Sequence, residues 1–373
     1  MIRVICLFLI LLFSHLGATA QKVPKKYQKI QKYMDKAVSS GLSGIVISIH
    51  HPNFENWTGV SGYANKETKE LMRPDHIMSL ASIGKTYAAT AVILLVEEGK
   101  IGLDDNINLY LPEEIVNHLA NGNKLSIRHM LNMTSGLVNY EQDSALNAQY
   151  LSGQLKLDTI SKLEMLQRTV FDKPAKCLPG NCFYYSSTNY LLLAMIMDNV
   201  LNGYHGDYYE ENIFKPLGLT NTYYRNTPTR NHVQTYGDLN KDGIQENITD
   251  KTIETTNWFM GDDGIYASSE EAIVFIEALM RDKIVNANSL KEMKTIVFDE
   301  YGLGLEYDKG FPYKELMGHS GSGIGTRTDL YYFPRQGMTI AILTNSGLRA
   351  ANKKFSKAYY KMRNRIVIKL FIL

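Results

Sequence analysis

The chain has 373 residues, of which 45% are hydrophobic and 21% are charged, and its formal net charge at pH 7 is +2. This composition excludes a collagen, a disordered tail and a coiled coil, and the near-neutral charge argues against a surface that binds nucleic acid. A chain of this length buries a large hydrophobic core without metal or disulfide cross-links, and it is long enough for two or three lobes.

The first twenty residues have the pattern of an export signal. Arg3 gives a positive start, Val4–Phe13 is an apolar run too short to span a bilayer, and residues 18–20 match a small-residue cleavage pattern. We therefore expect residues 1–20 to be a signal peptide and Gln21 to begin a mature chain that is periplasmic or secreted, with no stable membrane span. An uncleaved membrane anchor is the alternative.

Predicted strands lie near both ends of the mature chain. Gly44–His50 is an apolar, β-branched run, and Trp57–Ala64 has the pattern of its hairpin partner. Arg327–Phe333 and Met338–Thr344 form a second predicted hairpin. Because helices are predicted between these strands and at both termini, the sequence favours an α/β (α+β) fold in which an antiparallel sheet is flanked by terminal helices and carries an inserted, mostly helical lobe.

This pattern also suggests a division of the mature chain, residues 21–373. We expect the sheet lobe to comprise about residues 21–98 and 286–373, and the helical lobe to comprise about 99–285, with a cleft between them. Near the end, basic residues from Lys353 to Arg365 precede an apolar tail of eight residues, too short to span a membrane. A terminal helix packed on the sheet is predicted there, and a membrane-surface contact is the alternative.

Two cysteines remain after the predicted cleavage, which removes Cys6. Cys177 and Cys182 flank a turn-forming Leu-Pro-Gly-Asn segment, and an oxidising compartment would favour a disulfide between them. Two free thiols are the alternative. A zinc site is not expected, because no second pair of Cys or His residues stands at ligand spacing.

Ser82 and Lys85 stand three residues apart at the start of a helix predicted over Ser82–Glu98. This spacing places the hydroxyl and the amine on one helix face. A partly desolvated lysine can lose its proton and accept the proton of a serine. Main-chain N–H groups at the helix N-terminus would also help to stabilise an oxyanion.

Two later motifs follow in order: a Tyr-Ser-Ser sequence from Tyr185 to Ser187, and a His-Ser-Gly-Ser sequence from His319 to Ser322. Together with Ser82 and Lys85, this order resembles the serine β-lactamase/penicillin-binding-protein superfamily. The branch is the one that holds class C β-lactamases, D-alanyl-D-alanine carboxypeptidases and related esterases and aminopeptidases. Segments 125–137, 214–219, 264–268 and 343–345 resemble the same family, so the resemblance extends from about residue 28 to 362.

The resemblance implies a role for each residue of these motifs. Ser82 would be the acylated nucleophile, Lys85 would assist its deprotonation, and Tyr185 would share proton transfer and protonate the leaving group. The main-chain N–H groups of Ser82 and Ser322 would form the oxyanion hole. No metal or cofactor is implied.

Two positions depart from the commonest family pattern. Ser187 stands where the family usually has an asparagine, and its shorter hydroxyl could either bind the substrate or bond to Lys85. His319 stands where the family usually has a lysine, and with Ser320 and Gly321 it would face the carboxylate or the leaving group of the substrate. Histidine is mostly neutral near pH 7, which favours a peptidase or an esterase over an efficient β-lactamase.

These observations predict an exported serine hydrolase that forms an acyl-serine intermediate on an amide or ester, most closely a D-alanyl-D-alanine carboxypeptidase. A small-molecule esterase or a weak β-lactamase is one alternative. A catalytically poor module that binds penicillin or peptidoglycan is the other. The expected partner is a small-molecule or peptide substrate, with peptidoglycan among the candidates.

Three other polar segments have simpler interpretations. The segment from Asp238 to Gly243 resembles the start of a calcium loop but lacks its final carboxylate, so a polar hairpin turn is predicted. His129 is predicted to pack or to cap a helix. Asp262 and Asp263 lie between two glycines, and because neighbouring residues of a turn rarely converge on one atom, we expect them to be solvated.

Overall fold

The structure is a computed structural model that describes residues 23–310, 315–348 and 352–371. The predicted signal peptide, residues 1–20, lies outside the described residues, and so does Cys6. In the part of the chain that is described, no helix is both long enough and apolar enough to cross a membrane.

The strands and helices of the described ranges have the following bounds. The strands are β1 (Gly44–His51), β2 (Phe54–Asn65), β3 (Glu70–Leu71), β4 (Ile77–Ser79), β5 (Thr222–Tyr224), β6 (Tyr236–Gly237), β7 (Glu246–Asn247), β8 (Ile265–Ser268), β9 (Glu306–Asp308), β10 (Leu316–Ser322), β11 (Arg327–Phe333) and β12 (Met338–Thr344). The α-helices are α1 (Gln28–Ser39), α2 (Gly84–Glu97), α3 (Glu113–Val116), α4 (Ile127–Leu131), α5 (Ser144–Leu151), α6 (Lys162–Thr169), α7 (Ser187–Leu201), α8 (His205–Tyr209), α9 (Lys215–Leu217), α10 (Thr249–Trp258), α11 (Ser269–Met280), α12 (Ala287–Met293) and α13 (Lys353–Leu370).

A seven-stranded antiparallel sheet joins the two ends of the chain. Its strand order is β3-β2-β1-β12-β11-β10-β9, so the first and last long strands are neighbours. In that pairing Ile45 lies opposite Thr344 and Ile49 lies opposite Ile340. The predicted antiparallel sheet built from both termini is therefore confirmed.

The two terminal helices cover one face of this sheet. Ile45, Ile47 and Ile49 point to this face because side chains alternate along a strand, and they pack in one buried cluster with Tyr359 and Ile366 of α13. Helix α13 thus uses its apolar side for the core and leaves most of its lysines exposed. The predicted packing of a basic terminal helix on the sheet is confirmed.

Helix α11 and the remaining helices lie on the opposite face. Ser269 Oγ lies 2.7 Å from Ser48 Oγ, and Glu277 accepts a hydrogen bond of 2.7 Å from Thr339, so α11 packs directly on the central strands. The sequence analysis assigned residues up to about 285 to the helical lobe. Helix α11 lies within that range, although it packs on the sheet. Helix α2 is buried on nearly all sides and contacts α7, because its sequence is apolar all round.

Candidate active site

Ser82 lies in a short 3₁₀ turn, Ala81–Ile83, between β4 and α2. Ala81 has a φ of +50°, in the left-handed region that residues other than glycine rarely adopt, so the chain turns sharply just before the serine. The α-helix begins at Gly84, two residues later than predicted. A Cβ atom at Gly84 would lie 2.8 Å from the carbonyl oxygen of Asp263, so this glycine lets another loop approach the turn.

The side chain of Lys85 is completely buried and points back to the turn. Its Nζ atom lies 3.2 Å from Ser82 Oγ and donates a 3.0 Å hydrogen bond to the carbonyl oxygen of Asp262. Burial by itself lowers the pKa of Lys85, but Tyr185, Asp262 and Glu141 outweigh that effect and raise the pKa above its ordinary value. Lys85 is therefore an ammonium at neutral pH, and it must lose a proton before it can accept that of Ser82.

Tyr185 approaches the same two residues from the loop that precedes α7. Its ring centroid lies 5.1 Å from Lys85 Nζ, and its phenol oxygen interacts with both Ser82 and Lys85. Burial raises the pKa of Tyr185, and the positive charge of Lys85 only partly offsets this, so the phenol is neutral at neutral pH. The structure thus brings together the three residues that the sequence singled out as catalytic.

The predicted second oxyanion donor, the N–H group of Ser322, lies on β10. The N–H group of Ser320 points away from β11, because it donates a 3.0 Å hydrogen bond to Glu306. Main-chain groups two residues apart point to the same edge, so the N–H group of Ser322 faces this edge too. Ser322 and Ser82 line one cavity, which places this donor beside the nucleophile.

Gly321 makes the close approach of β10 to the nucleophile possible. A Cβ atom at this position would lie 2.2 Å from the carbonyl oxygen of Leu80 and 2.3 Å from Thr328 Oγ1. Leu80 directly precedes the turn that holds Ser82. A side chain at position 321 would therefore push the strand away from the turn.

His319 is buried behind Tyr185, with 6.1 Å between the ring centroids. Its Nδ1 atom lies 2.6 Å from the carbonyl oxygen of Ser320, and its Nε2 atom lies 2.8 Å from the hydroxyl of Tyr301. A carbonyl can only accept, so Nδ1 carries the hydrogen and Nε2 accepts from Tyr301. Burial and the charge of Lys85 lower the pKa of His319 to about 3, so the imidazole is neutral. This arrangement does not fit the predicted role of His319 in facing a substrate carboxylate.

The other two polar residues of these motifs also differ from the predictions. The hydroxyl of Ser320 donates a 3.0 Å hydrogen bond to Glu306 and is not available to a substrate. Ser187 is the first residue of α7, and its buried hydroxyl has no hydrogen-bond partner among the described residues. Of the two roles that the sequence left open for Ser187, the bond to Lys85 is not formed, and binding of the substrate stays a prediction.

Asp262 and Asp263 belong to the site, and the prediction of a solvated turn was wrong. Their residues are only 1% and 8% exposed. Burial raises the pKa of Asp262 to about 7 and that of Asp263 to about 8. The turn can enter the core because Gly261 and Gly264 have φ values of +77° and +97°. The Gly-Asp-Asp-Gly sequence just before a buried strand was the available signal.

Tyr140 and Glu141 are two further residues that the sequence analysis missed. The hydroxyl of Tyr140 donates a 2.6 Å hydrogen bond to Asp262 Oδ2, and Glu141 interacts with the same carboxyl group. Neither residue lies in a recognisable motif, and both reach the site from a loop more than forty residues before Tyr185. Only the packing of that loop against the turn of Asp262 reveals them.

A cavity of about 200 Å³ opens beside Ser82. Glu141 and Asp263 contribute acidic groups to its wall. Most of the remaining wall is apolar and includes Leu146, Tyr150, Leu151, Met165, Phe259 and Ile324. The cavity therefore suits an apolar group that carries a positive charge near the nucleophile.

The remaining predicted features lie outside this cavity. Cys177 and Cys182 form a disulfide, which settles the alternative left open by the sequence. His129 caps α4 in a reciprocal arrangement with Ser126, as predicted. The segment from Asp238 to Gly243 lies in the turn between β6 and β7, which confirms the polar hairpin. Within the described ranges, no cluster of three or more His, Cys, Asp or Glu side chains could hold a metal ion.

Comparison with known proteins agrees with this geometry. Residues 27–359 match the family described as Beta-lactamase. The chain belongs to the Beta-lactamase family. This is a family of serine hydrolases, and the match includes Ser82, Lys85 and Tyr185 within its bounds. The resemblance inferred from the motifs is confirmed.

Two relatives share about a quarter of their aligned residues with this chain. Penicillin-binding protein 4* of Bacillus subtilis is 25% identical over 299 residues, which are 76% of this chain and 64% of that protein. This chain thus spans less than two thirds of the length of that relative. PbpX of the same organism is 26% identical over 340 residues, covering 89% of this chain and 78% of that protein.

Solved structures share the fold over nearly the whole chain. The D-amino acid amidase from Ochrobactrum anthropi superposes with a TM-score of 0.80 at 23% identity, covering 93% of this chain and 99% of that one. The D-stereospecific amidohydrolase from Streptomyces sp. has a TM-score of 0.75 at 26% identity, covering 88% and 97%. The predicted fold class is confirmed.

Proposed function

We propose that the protein is a serine hydrolase that forms an acyl ester on Ser82 from an amide or ester substrate. One observation carries this proposal: the hydroxyl of Ser82 lies 3.2 Å from the buried amine of Lys85, with the phenol of Tyr185 facing both. A nucleophile within reach of a proton acceptor is the basic requirement of covalent catalysis.

In the proposed reaction, the pair formed by Lys85 and Tyr185 first loses one proton to solvent. Ser82 Oγ then attacks the substrate carbonyl carbon, and its proton passes to this pair. The oxyanion accepts hydrogen bonds from the N–H groups of Ser82 and Ser322. The bond to the leaving group then breaks, and the leaving amine or alcohol takes a proton from Tyr185. Water hydrolyses the ester, which releases a carboxylic acid and regenerates Ser82.

The acyl group that fits best is an apolar residue with a free amino group. The cavity beside Ser82 is mostly apolar, and Glu141 lines it with an acidic group that can face a substrate ammonium, whereas the raised pKa of Asp263, about 8, leaves that carboxyl group protonated at neutral pH. His319 is neutral and bound to protein groups, so it offers no cation to a substrate carboxylate. We therefore propose an amide of an apolar D-amino acid as the substrate, in keeping with the structural neighbours, ahead of the carboxypeptidase substrate predicted from sequence.

Parallel assays on one protein preparation test this proposal. D-phenylalanine amide, D-alanyl-D-alanine, a nitrophenyl ester and nitrocefin are compared for turnover, and intact mass reports any adduct with a fluorophosphonate or a penicillin. We expect the amide and the ester to be hydrolysed and Ser82→Ala to be inactive. Ser40→Ala is the matched control, because that hydroxyl is exposed and bonds only locally, to Lys36.

Other results would support the alternatives. Faster cleavage of D-alanyl-D-alanine would favour the carboxypeptidase, and rapid hydrolysis of nitrocefin would favour a β-lactamase. A folded protein that forms no adduct with either reagent and hydrolyses none of the substrates would contradict the proposal and favour a binding module.

We also propose that the protein is exported and that residues 1–20 are removed. The disulfide between Cys177 and Cys182 supports this, because disulfides persist mainly in oxidising compartments. Expression of the full chain followed by N-terminal sequencing of the periplasmic and extracellular protein tests it. Gln21 is the expected first residue, and a membrane-bound chain that starts at Met1 would contradict it.

A further inference from the structure

A second cavity, of about 490 Å³, lies on the far side of Tyr185. Tyr185, Tyr301, Glu306 and Tyr331 contribute to its wall, whereas Ser82 lines only the first cavity. The phenol of Tyr185 also interacts with Ser82, so Tyr185 stands between the nucleophile and the second cavity. With the acyl group in the first cavity and Tyr185 as the proton donor to the leaving group, the second cavity is the space on the leaving-group side of Tyr185.

Next to the second cavity, the main-chain hydrogen-bonding groups on the outer edge of β10 already have partners. Strand β9 pairs with β10 only from Leu316 to Gly318. At Ser320 the N–H group already donates to Glu306 at 3.0 Å, and the carbonyl already accepts from His319 Nδ1 at 2.6 Å. A peptide that extended along this edge would find both main-chain groups of Ser320 occupied, so a long leaving group gains no strand pairing there.

The Glu306 side chain also sets the charge of this region. It accepts hydrogen bonds from the hydroxyl of Ser320 at 3.0 Å and from the hydroxyl of Tyr331 at 3.3 Å, which fix its position. Two cations reach the same cavity, but Lys309 pairs with Asp299 at 2.9 Å, and Arg363 lies 3.7 Å from Asp329. Burial raises the pKa of Glu306 to about 7, so the side chain is a carboxylate above neutral pH. There a second carboxylate placed beside Glu306 would meet a negative charge whose nearby cations already have acidic partners.

We propose that the second cavity receives the leaving group, and that Glu306 restricts it to ammonia or to small neutral or cationic amines that lack a carboxylate. This inference rests on the proposed function and adds the chemical class of the second product. It makes Glu306 a specificity-determining residue: it rejects carboxylates by charge and closes the edge of β10 to longer chains.

Three substrates with one acyl group test the inference: D-phenylalanine amide, D-phenylalanylglycinamide and D-phenylalanylglycine. The last two differ only by a carboxylate on the leaving group. At pH 8, where Glu306 is mostly ionised, we expect kcat/KM of the wild type for the glycinamide to exceed that for the glycine substrate by about tenfold or more, as expected when like charges are juxtaposed. Glu306→Gln keeps an acceptor for Ser320 but removes the charge, and it should reduce this ratio about tenfold.

Glu315→Gln is the matched control. Glu315 directly precedes β10, pairs with Arg335 at 2.9 Å and lies outside both cavities. We expect this variant to keep the wild-type ratio. Equal kcat/KM values for the two substrates in the wild type, or an unchanged ratio in Glu306→Gln, would overturn the inference while the proposed hydrolase stands.

The reverse reaction gives a second measurement that does not need amide hydrolysis. A nitrophenyl ester acylates the enzyme, and added glycinamide or glycine competes with water for the acyl group, so the acceptor must occupy the leaving-group cavity. Preferential transfer to glycinamide, reduced in Glu306→Gln, would support the inference, and equal transfer would contradict it. A wild type that reacts with neither the ester nor the amides would instead contradict the proposed function itself.

Discussion

The Nζ atom of Lys85 donates a 3.0 Å hydrogen bond to the main-chain carbonyl oxygen of Asp262. This bond links Lys85, the proposed base, to the buried acidic turn of Asp262 and Asp263. The carboxyl group of Asp262 lies near the same amine and helps to raise the pKa of Lys85. The site therefore rests with its amine charged, and it must lose a proton before Ser82 can be activated.

The first prediction concerns the pH dependence of acylation. Because the pKa of Lys85 is raised, the ammonium persists at neutral pH and the basic form appears only as pH rises. The rate of acylation by an uncharged ester should therefore increase from neutral to alkaline pH, with an apparent pKa that belongs to the pair Lys85 and Tyr185. Asp262→Asn removes a negative charge near the amine and should shift this rise to lower pH. A flat profile in the wild type would contradict the assignment.

The second prediction concerns the identity of the base. Lys85→Ala should slow acylation by about 10²–10⁴-fold, the usual contribution of a general base. Lys162 provides a matched control, because burial lowers its pKa to about 6 and makes it the other candidate base. Its amine bonds to the carbonyl of Trp258 and not to Ser82, so Lys162→Ala should acylate normally. Burst kinetics with a nitrophenyl ester measure the acylation rate of both variants. Slow acylation in Lys162→Ala together with normal acylation in Lys85→Ala would identify Lys162 as the base instead.

The third prediction concerns the approach of β10 to the nucleophile. A methyl group at Gly321 would lie 2.2 Å from the carbonyl of Leu80, so Gly321→Ala must displace the strand that carries the oxyanion donor of Ser322. Loss of one such donor costs about 10²–10³-fold in kcat. At Gly323 the nearest atom would be Thr326 Oγ1 at 3.1 Å, so Gly323→Ala should be tolerated far better. Steady-state kinetics and thermal unfolding of both variants check this, and equal losses would argue against a specific role for Gly321.

The fourth prediction concerns stability. Burial raises the pKa of Asp263 from 3.8 to about 8, so the folded state binds a proton that the unfolded state releases. The contribution of the Asp263 carboxyl group to the stability of the folded state is fully present below about pH 4 and is lost as pH rises toward 8. The free energy of unfolding of Asp263→Asn should therefore increase relative to that of the wild type as pH rises over this range. The gain should be on the order of a few kcal/mol, since a pKa difference of one corresponds to about 1.4 kcal/mol.

Urea unfolding of the wild type and Asp263→Asn across that pH range provides the measurement. Glu300→Gln, an exposed acidic residue, is the control and should follow the wild type. Parallel stability curves for the wild type and Asp263→Asn would show that the carboxyl group of Asp263 is not buried in solution.

The sequence by itself determined the antiparallel sheet, the packed terminal helix and the pairing of Ser82 with Lys85, whereas Tyr185 was assigned to the same site through the resemblance to a known family. The apolar, β-branched run Gly44–His50 predicts a strand, and the spacing of Ser82 and Lys85 is enough to place them together, because one helical turn is a local property. These features depend on neighbours in the chain, so patterns in the chain predict them.

Tertiary structure alone decided the charge state of Lys85, the burial of Asp262 and Asp263, the inward bonding of His319 and the closure of the β10 edge by Glu306. Each of these depends on which groups the fold brings near from distant parts of the chain: Asp262 lies 177 residues from Lys85 along the sequence. Desolvation and Coulomb interactions act through space rather than along the chain, so a local pattern such as Gly-Asp-Asp-Gly can mark a turn but does not show which groups will surround it.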